Sequence, residues 1–356
     1  MQLQDLISES THFDIWRYSR WLPLVASGDR ISDHKGVLSP LEQKNEKLWV
    51  KHEDDQPLGS HKGRSLALQL SLLKQAGKSQ LVLSSSGNAA IACHALTYTD
   101  DTVLLVAPTI DQGKLAQLQH SKGRGRIIMT PHARAFAQYL VNKQQYVDLR
   151  PSQDQSAIDG LMTLGFELVE QLGDLGDQYS IFSPTTSGGN ILGMGKAFQA
   201  LLSAGILSTV PKIFPVLLKG YHGGTMSEKR LEEVHQLALT TGGQVIEQPL
   251  VTSVSTSFEG ATAYQAYLDY SQQVDKAVVI FTGRQWPQPL KPITMPQVHT
   301  ITELMTQIAL GFFSLFQKFA MVSAGSSSHQ NRGLLSQAII MLQFSTGEKK
   351  ASRSCA

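Results

Sequence analysis

Between residues 48 and 283 short apolar runs alternate with helix-patterned stretches, and that alternation restricts the chain to very few architectures. LWVKHE (48–53) opens the series. QLVLSS (80–85), TVLLVAP (102–108), RIIMT (126–130), SIFSPTT (180–186), KIFPVLL (212–218) and AVVIFTG (277–283) continue it. Helical patterns fall between them at 62–76, 89–98, 114–121, 133–143, 157–173, 191–204, 228–242 and 259–271. Strands separated by whole helices form βαβ units, so the expected class is α/β with mostly parallel sheets.

At 356 residues the chain has room for two such units. We expect two three-layer α/β/α domains: a larger one from 1–79 and 156–345, and a smaller, mobile substrate domain from 80–155. The tail GEKKASRSCA, with 346–356 as a whole, reads as disordered. Residues 1–50 are irregular apart from the aromatic cluster FDIWRYSRWLPL (13–24). A net charge of +2 (31 − 29) gives no general attraction to nucleic acid or anionic membrane. Cys93 and Cys355 are too few for a disulfide framework, which fits a reducing cytoplasm. MQLQDLISES does not have the pattern of a secretory signal. The apolar stretch 308–322 is too short to span a bilayer and reads as a buried amphipathic helix.

Three segments carry candidate chemistry. In GSHKGR (59–64) a single lysine, Lys62, starts a helix whose stripe is Leu66, Leu70 and Leu73, with Ser60 as cap and Gly77 as stop. The positive end of the helix dipole disfavours an ammonium and helps supply the neutral amine that a Schiff base requires. A surface lysine in a polar turn is the plain alternative. In TTSGGN (185–190) a β-run ends in hydroxyls and glycines and opens a helix. Thr186, Ser187, Gly188, Gly189 and Asn190 there form a phosphate cup, against the alternative of an ordinary strand-to-helix turn. In SSSGN (84–88) the hydroxyls and N–H groups of Ser84, Ser85, Ser86 and Gly87 lie where a parallel sheet binds ligands, and they suit a carboxylate. Asn88 can donate to an oxygen on a ring. A capped turn that only starts the next helix is the alternative. The spacings G-x-G-x-x-G, H-E-x-x-H, C-x-x-C and G-x-S-x-G do not occur, and AGKSQ (76–80) lacks the first glycine of a P-loop. No metal is expected.

Taken in order, Lys62 in GSHKGR, SSSGN, TTSGGN before a helix, and Thr282-Gly283 after AVVIF resemble the fold-type II pyridoxal-phosphate enzymes, the tryptophan synthase β superfamily. Within it the chain most resembles threonine synthase, also through IWRYSRWLP and IDGLMTLGFELVEQLG. The resemblance implies pyridoxal 5′-phosphate as cofactor, with Lys62 as its covalent anchor and proton shuttle. It implies Asn88 on the 3′ oxygen, Ser187 to Asn190 around the phosphate and Thr282 at the pyridine nitrogen. Ser85 and Ser86 would hold the substrate carboxylate, and Glu259 stands where the superfamily often has an acid near the cofactor. His61 neighbours Lys62, and a packing or phosphate-contact role suits it better than a base. The implied reaction is elimination or replacement at the β or γ carbon of an amino acid, as in conversion of O-phosphohomoserine to threonine. Serine or threonine ammonia-lyase and cysteine synthase-like β-replacement are the alternatives, with a catalytically weak cofactor- or amino-acid-binding protein as the alternative of another class. A homodimer is implied, with 13–24 or 308–322 as its contact. Four features depart from the pattern: Gly63 replaces an aspartate, Leu58 replaces a threonine, the region from 205 to 258 is short, and RQWPQPLKP (284–292) stands where the usual continuation follows Thr282-Gly283.

Overall fold

The computed structural model describes residues 3–33, 38–121, 123–150, 154–220, 226–252 and 256–310. After three short 3-10 turns, an antiparallel hairpin of β1 (Leu41–Asn45) and β2 (Leu48–His52) leads to α1 (Lys62–Gln75). The next four strands are β3 (Leu81–Ser84), β4 (Thr102–Val106), β5 (Arg126–Met129) and β6 (Val147–Asp148). Between them run α2 (Asn88–Leu96), α3 (Gln112–His120) and α4 (Ala133–Gln144). Then come α5 (Gln155–Leu172), β7 (Tyr179–Thr185), α6 (Gly189–Ser203), β8 (Lys212–Lys219), α7 (Glu228–Thr240) and β9 (Ile246–Pro249). The series ends with α8 (Phe258–Tyr270), β10 (Lys276–Phe281) and a helix, α9, over residues 301–310.

The strands form two sheets. One has six strands in the order β1-β2-β10-β7-β8-β9, parallel throughout except for the β1–β2 hairpin. The other has four parallel strands in the order β5-β4-β3-β6. Side chains alternate across a strand, so each sheet buries both faces. In the six-stranded sheet Ile181, Val278 and Ile280 pack with Phe166, Met194 and Phe198 of α5 and α6. Phe182, Phe214 and Val279 pack on the opposite face with Ala263 and Ala266 of α8, and the first two rings stack 4.7 Å apart. In the four-stranded sheet Val82, Val103 and Leu105 meet Phe136 and Leu140 of α4. Leu81, Leu83 and Leu104 meet Leu66 and Leu70 of α1 on the other face. This is the expected pair of three-layer α/β/α units.

Beyond β10 the chain returns to the smaller sheet. Trp286 joins the cluster of Val106, Leu115 and Leu118, while Val298, Leu304 and Ile308 join that of Val103 and Leu105. Residues 156–345, read from sequence as part of the larger domain, thus include a stretch packed on the four-stranded sheet. The expected disordered tail, 346–356, and most of 308–322 lie outside the described residues. No helix among the described residues is long and apolar enough to cross a membrane. The aromatic cluster is largely internal: Ile15 and Trp16 pack on Ala67 and Leu68 of α1, and Tyr18 lies with Phe166. Those rings therefore stabilise this chain's own core.

Helix α1 lies where the two units meet, and its ends are well specified. Gly77 adopts φ +66°, its N–H donates to Lys74 O at 3.0 Å, and Lys78 N–H donates to Leu73 O at 2.9 Å. That is the Schellman stop expected at Gly77. At the other end His61 is the flanking residue, and Ser60 Oγ accepts from Lys62 N–H at 3.3 Å. Arg64 reaches a wholly buried group of charges. Its guanidinium bonds both oxygens of Glu53 (2.8 and 2.9 Å) and Glu167 (2.7 Å). Lys51 Nζ bonds Glu167 at 2.5 Å, and Ser39 Oγ bonds both carboxylates. Removing one cation leaves a carboxylate buried without its partner, which costs about 3–5 kcal/mol. Arg64→Met should therefore lower unfolding free energy by about that amount in a urea titration. A loss of under about 1 kcal/mol would mean that the group adds nothing to stability.

Candidate functional site

Strands β3 and β7 both run towards one cavity, of about 590 Å³, and end at its wall. Lys62 lines it, as do Ser84, Ser85, Ser86, Gly87 and Asn88 after β3. Thr186, Ser187 and Asn190 line it after β7, and Thr282 after β10. Gly188 and Gly189 follow Ser187 at the start of α6. Four segments far apart in sequence thus share one space, three of them at the carboxyl ends of parallel strands, where ligands are expected to bind.

The lysine turn is fastened to the end of β10. His61 N–H donates to Thr282 O at 3.2 Å, Arg284 N–H to Gly59 O at 2.8 Å, and Ser60 bridges Gly283. His61 Nδ1 is also 2.9 Å from Thr282 O. A carbonyl can only accept, so Nδ1 carries the proton. Burial, then the nearby Lys62 charge, push the imidazole down to about 3, so it is neutral near pH 7. Lys62 itself is lowered to about 8 by burial, against which the Glu259 carboxylate favours the ammonium. The amine is consequently easier to deprotonate than an ordinary lysine.

The loop after β7 is held from beneath. Gly188 takes φ +78°, a left-handed conformation that suits glycine, and its N–H donates to Thr185 Oγ1 at 3.0 Å. The Asn190 amide is spent on the loop's own support: Nδ2 donates to Ser183 Oγ (2.8 Å) and Pro184 O (2.9 Å), and Oδ1 accepts from Thr185 Oγ1 (2.9 Å). Asn190 can therefore offer an anion only its backbone N–H. The helical ladder begins with Leu192 N–H to Gly188 O at 3.0 Å, so the N–H groups of Gly189, Asn190 and Ile191 precede it. Such a terminus attracts anions.

The loop after β3 is also braced without being used up. Ser86 Oγ accepts from Ala107 N–H at 2.7 Å and Ser85 Oγ from Gly87 N–H at 3.3 Å, leaving both hydroxyl protons to donate. Asn88 begins α2, and a Cβ on Gly283 would fall 2.3 Å from its Nδ2. Its Oδ1 is buried with no partner. A buried amide end without a protein partner points to a ligand atom as the missing one.

Two cavity residues were not anticipated: Lys114 of α3 and Arg134 of α4. Neither side chain has a carboxylate partner among the described residues. Both follow the strand-end rule, since β4 and β5 end just before those helices. The runs TVLLVAP and RIIMT carried that signal. No group of three or more His, Cys, Asp or Glu able to hold a metal occurs among the described residues.

The state of Lys62 is directly measurable. Its trapping by an aldehyde and borohydride should rise with pH around a midpoint near 8, where an ordinary lysine responds near 10.5. Glu259→Gln should move the midpoint lower, because the carboxylate it removes favours the charged form. A midpoint near 10.5 in the parent protein would contradict this account of the amine.

The family described as "Pyridoxal-phosphate dependent enzyme" matches residues 37–244. The threonine synthase of Methanosarcina acetivorans is 29% identical over 219 residues, covering 58% of this chain and 53% of that protein. That of Methanocaldococcus jannaschii is 25% identical over 238 residues, covering 62% and 58%. The chain thus spans little more than half the length of these curated relatives. Among solved structures, maize serine racemase superposes with a TM-score of 0.57 at 17% identity, covering 70% of this chain and 88% of that one. The processed threonine deaminase isoform 2 of Solanum lycopersicum gives 0.55 at 18% identity, covering 79% and 86%. At such identities the structures show a shared fold. The match to the family over residues 37–244 shows more: this chain belongs to the pyridoxal-phosphate dependent enzymes.

Proposed function

We propose that the chain carries out elimination or replacement at the β or γ carbon of an amino acid, in the manner of a threonine synthase acting on O-phosphohomoserine. One observation carries the choice of substrate. The cavity holds two cations, Lys114 and Arg134, that no carboxylate among the described residues satisfies. A substrate with only an α-carboxylate is served by the Ser84–Gly87 loop alone. One that also ends in a phosphate gives the cations a partner, and such charge-assisted bonds are strong.

The residues present fit the cofactor. Lys62 is the anchor, Asn88 the partner of the ring oxygen, and Thr282 the partner of the ring nitrogen. Thr186, Ser187 and the N–H groups of Gly188, Gly189 and Asn190 bound the phosphate, although Gly188 N–H already serves Thr185. The Asn88 amide lines the cavity with one end unpartnered, and turned end for end it presents its Nδ2 donor to that oxygen. When bound, pyridoxal 5′-phosphate supplies an electron sink for charge that develops on the substrate's α carbon. A hydroxyl at Thr282, unlike a carboxylate, does not hold a full positive charge on the ring nitrogen, which favours elimination and replacement over transamination.

The protein's own part is proton handling and positioning. The Lys62 amine, lowered to about 8, takes the α-proton and returns it, and Glu259 keeps its affinity for that proton from falling further. Ser84, Ser85, Ser86 and Gly87 fix the α-carboxylate and so set which α-bond faces Lys62. The unit formed by 80–155 carries that loop, Lys114 and Arg134, and its closure over the substrate excludes water. A cytoplasmic homodimer is the proposed working form, for which light scattering should give the mass of two chains.

The test is phosphate release and threonine formation from O-phosphohomoserine, set beside keto-acid formation from serine and threonine. Lys62→Ala should lower the first by about 10²–10⁴-fold. Arg134→Ala should raise KM for O-phosphohomoserine about 10-fold and leave binding of unphosphorylated amino acids unchanged. Turnover of serine or threonine with none of O-phosphohomoserine would replace this reading by an ammonia-lyase. A protein that takes up no cofactor would remove it.

A further inference from the structure

Residues 183–192, SPTTSGGNIL, contain no charged side chain, so the cup offers only neutral donors and a helix terminus. A cation does lie against it. Arg230, in the first turn of α7, runs its stem over Gly188: a Cβ there would fall 3.0 Å from Arg230 Cγ and 3.2 Å from Cδ. Its Nη1 is buried with no hydrogen-bond partner among the described residues. Its carboxylate partner among the described residues, Glu233, meets Nε at 3.3 Å and is 42% exposed. Such a pair contributes little, and it leaves the inner nitrogen unserved. A buried guanidinium N–H without an acceptor is destabilising unless a ligand provides one.

We infer that Arg230 is a positioning residue for the cofactor's phosphate, which supplies the acceptor that its buried nitrogen lacks and receives the full positive charge that the cup lacks. This rests on the reading of the 185–190 loop as the phosphate cup. A phosphate dianion held by neutral donors alone keeps its charge uncompensated, whereas a guanidinium behind the loop adds a charge-assisted bond. α7 also gives the cation a rigid support, since Ser227 Oγ caps it by accepting from Arg230 N–H at 3.2 Å.

The test uses the cofactor-free full chain, titrated with pyridoxal 5′-phosphate and separately with pyridoxal, which lacks the phosphate. Binding is followed by absorbance and by quenching of tryptophan emission, so it is independent of turnover. Arg230→Gln should weaken pyridoxal 5′-phosphate about 10- to 100-fold and leave pyridoxal unchanged, while Arg230→Lys should recover part of the loss. Inorganic phosphate should compete with pyridoxal 5′-phosphate for the parent protein and less so for Arg230→Gln. If Arg230→Gln weakens both aldehydes equally, or neither, Arg230 only packs on Gly188 and the inference is overturned. If the parent protein binds neither aldehyde, the cup reading falls and the inference with it. A folded Arg230→Lys protein keeps the comparison decisive if Arg230→Gln unfolds.

Discussion

Four charges that never meet water hold the site together: Arg64 and Lys51 against Glu53 and Glu167. The group is neutral as a whole, and no member can be removed without stranding another. Burial works against both carboxyls ionising, but Arg64 and Lys51 together, helped at Glu167 by the Ser39 hydroxyl, more than offset it and hold Glu53 and Glu167 below the usual range. The four residues come from β2, the turn after it, α1 and α5. Arg64 is two positions past Lys62, so the register that pairs its fork with Glu53 also sets where the lysine emerges. A Cβ on Gly160 of α5 would fall 2.5 Å from Arg64 O, so the two helices cross at backbone contact. Neither helix can slide without breaking both the contact and the pairs.

The two sheets divide the work around the cavity. The larger one contributes the Thr186–Asn190 loop and Thr282, and it anchors the lysine turn through Ser60 and Gly283. The smaller one contributes the serine loop and the two cavity cations. Contacts that cross between them include those of α1 and of Trp286, which lies under α3 and against Gly59 of the lysine turn. Arg284 stacks on that indole at 5.4 Å and bonds Asp54 O at 2.9 Å. A movement of the smaller unit would therefore be felt at the turn that presents Lys62. This coupling uses RQWP, the segment where the chain leaves the family pattern.

Much of this was legible because buried parallel strands are apolar on both faces. QLVLSS, TVLLVAP and SIFSPTT could be nothing else, and each led to a loop that lines the cavity. The strands missed from the sequence are those at sheet edges. β1, LEQKN, is almost wholly exposed, β9 ends in a proline, and β6 has two residues. Edge strands bury one face or none, so they carry no apolar run to read. Lys114 and Arg134 were missed for another reason. Lone basic residues at helix starts are ordinary, and only the spatial convergence of α3 and α4 makes them a pair. Likewise nothing local in TTSGGN says that the Asn190 amide turns inward to hold Ser183 and Pro184.

The departures beside Lys62 are physically linked. A side chain at Gly63 would place its Cβ 3.0 Å from Leu58 Cδ1 and 3.4 Å from Asp33 Cβ. Leu58 in turn packs with Leu66, Leu70 and Leu83. Where the family pattern has a threonine and an aspartate, this chain has a leucine beside a residue with no side chain. An aspartate at 63 would push a carboxylate against an apolar group and beside Asp33. The leucine at 58 and the missing side chain at 63 thus fit each other, and the two departures are coupled.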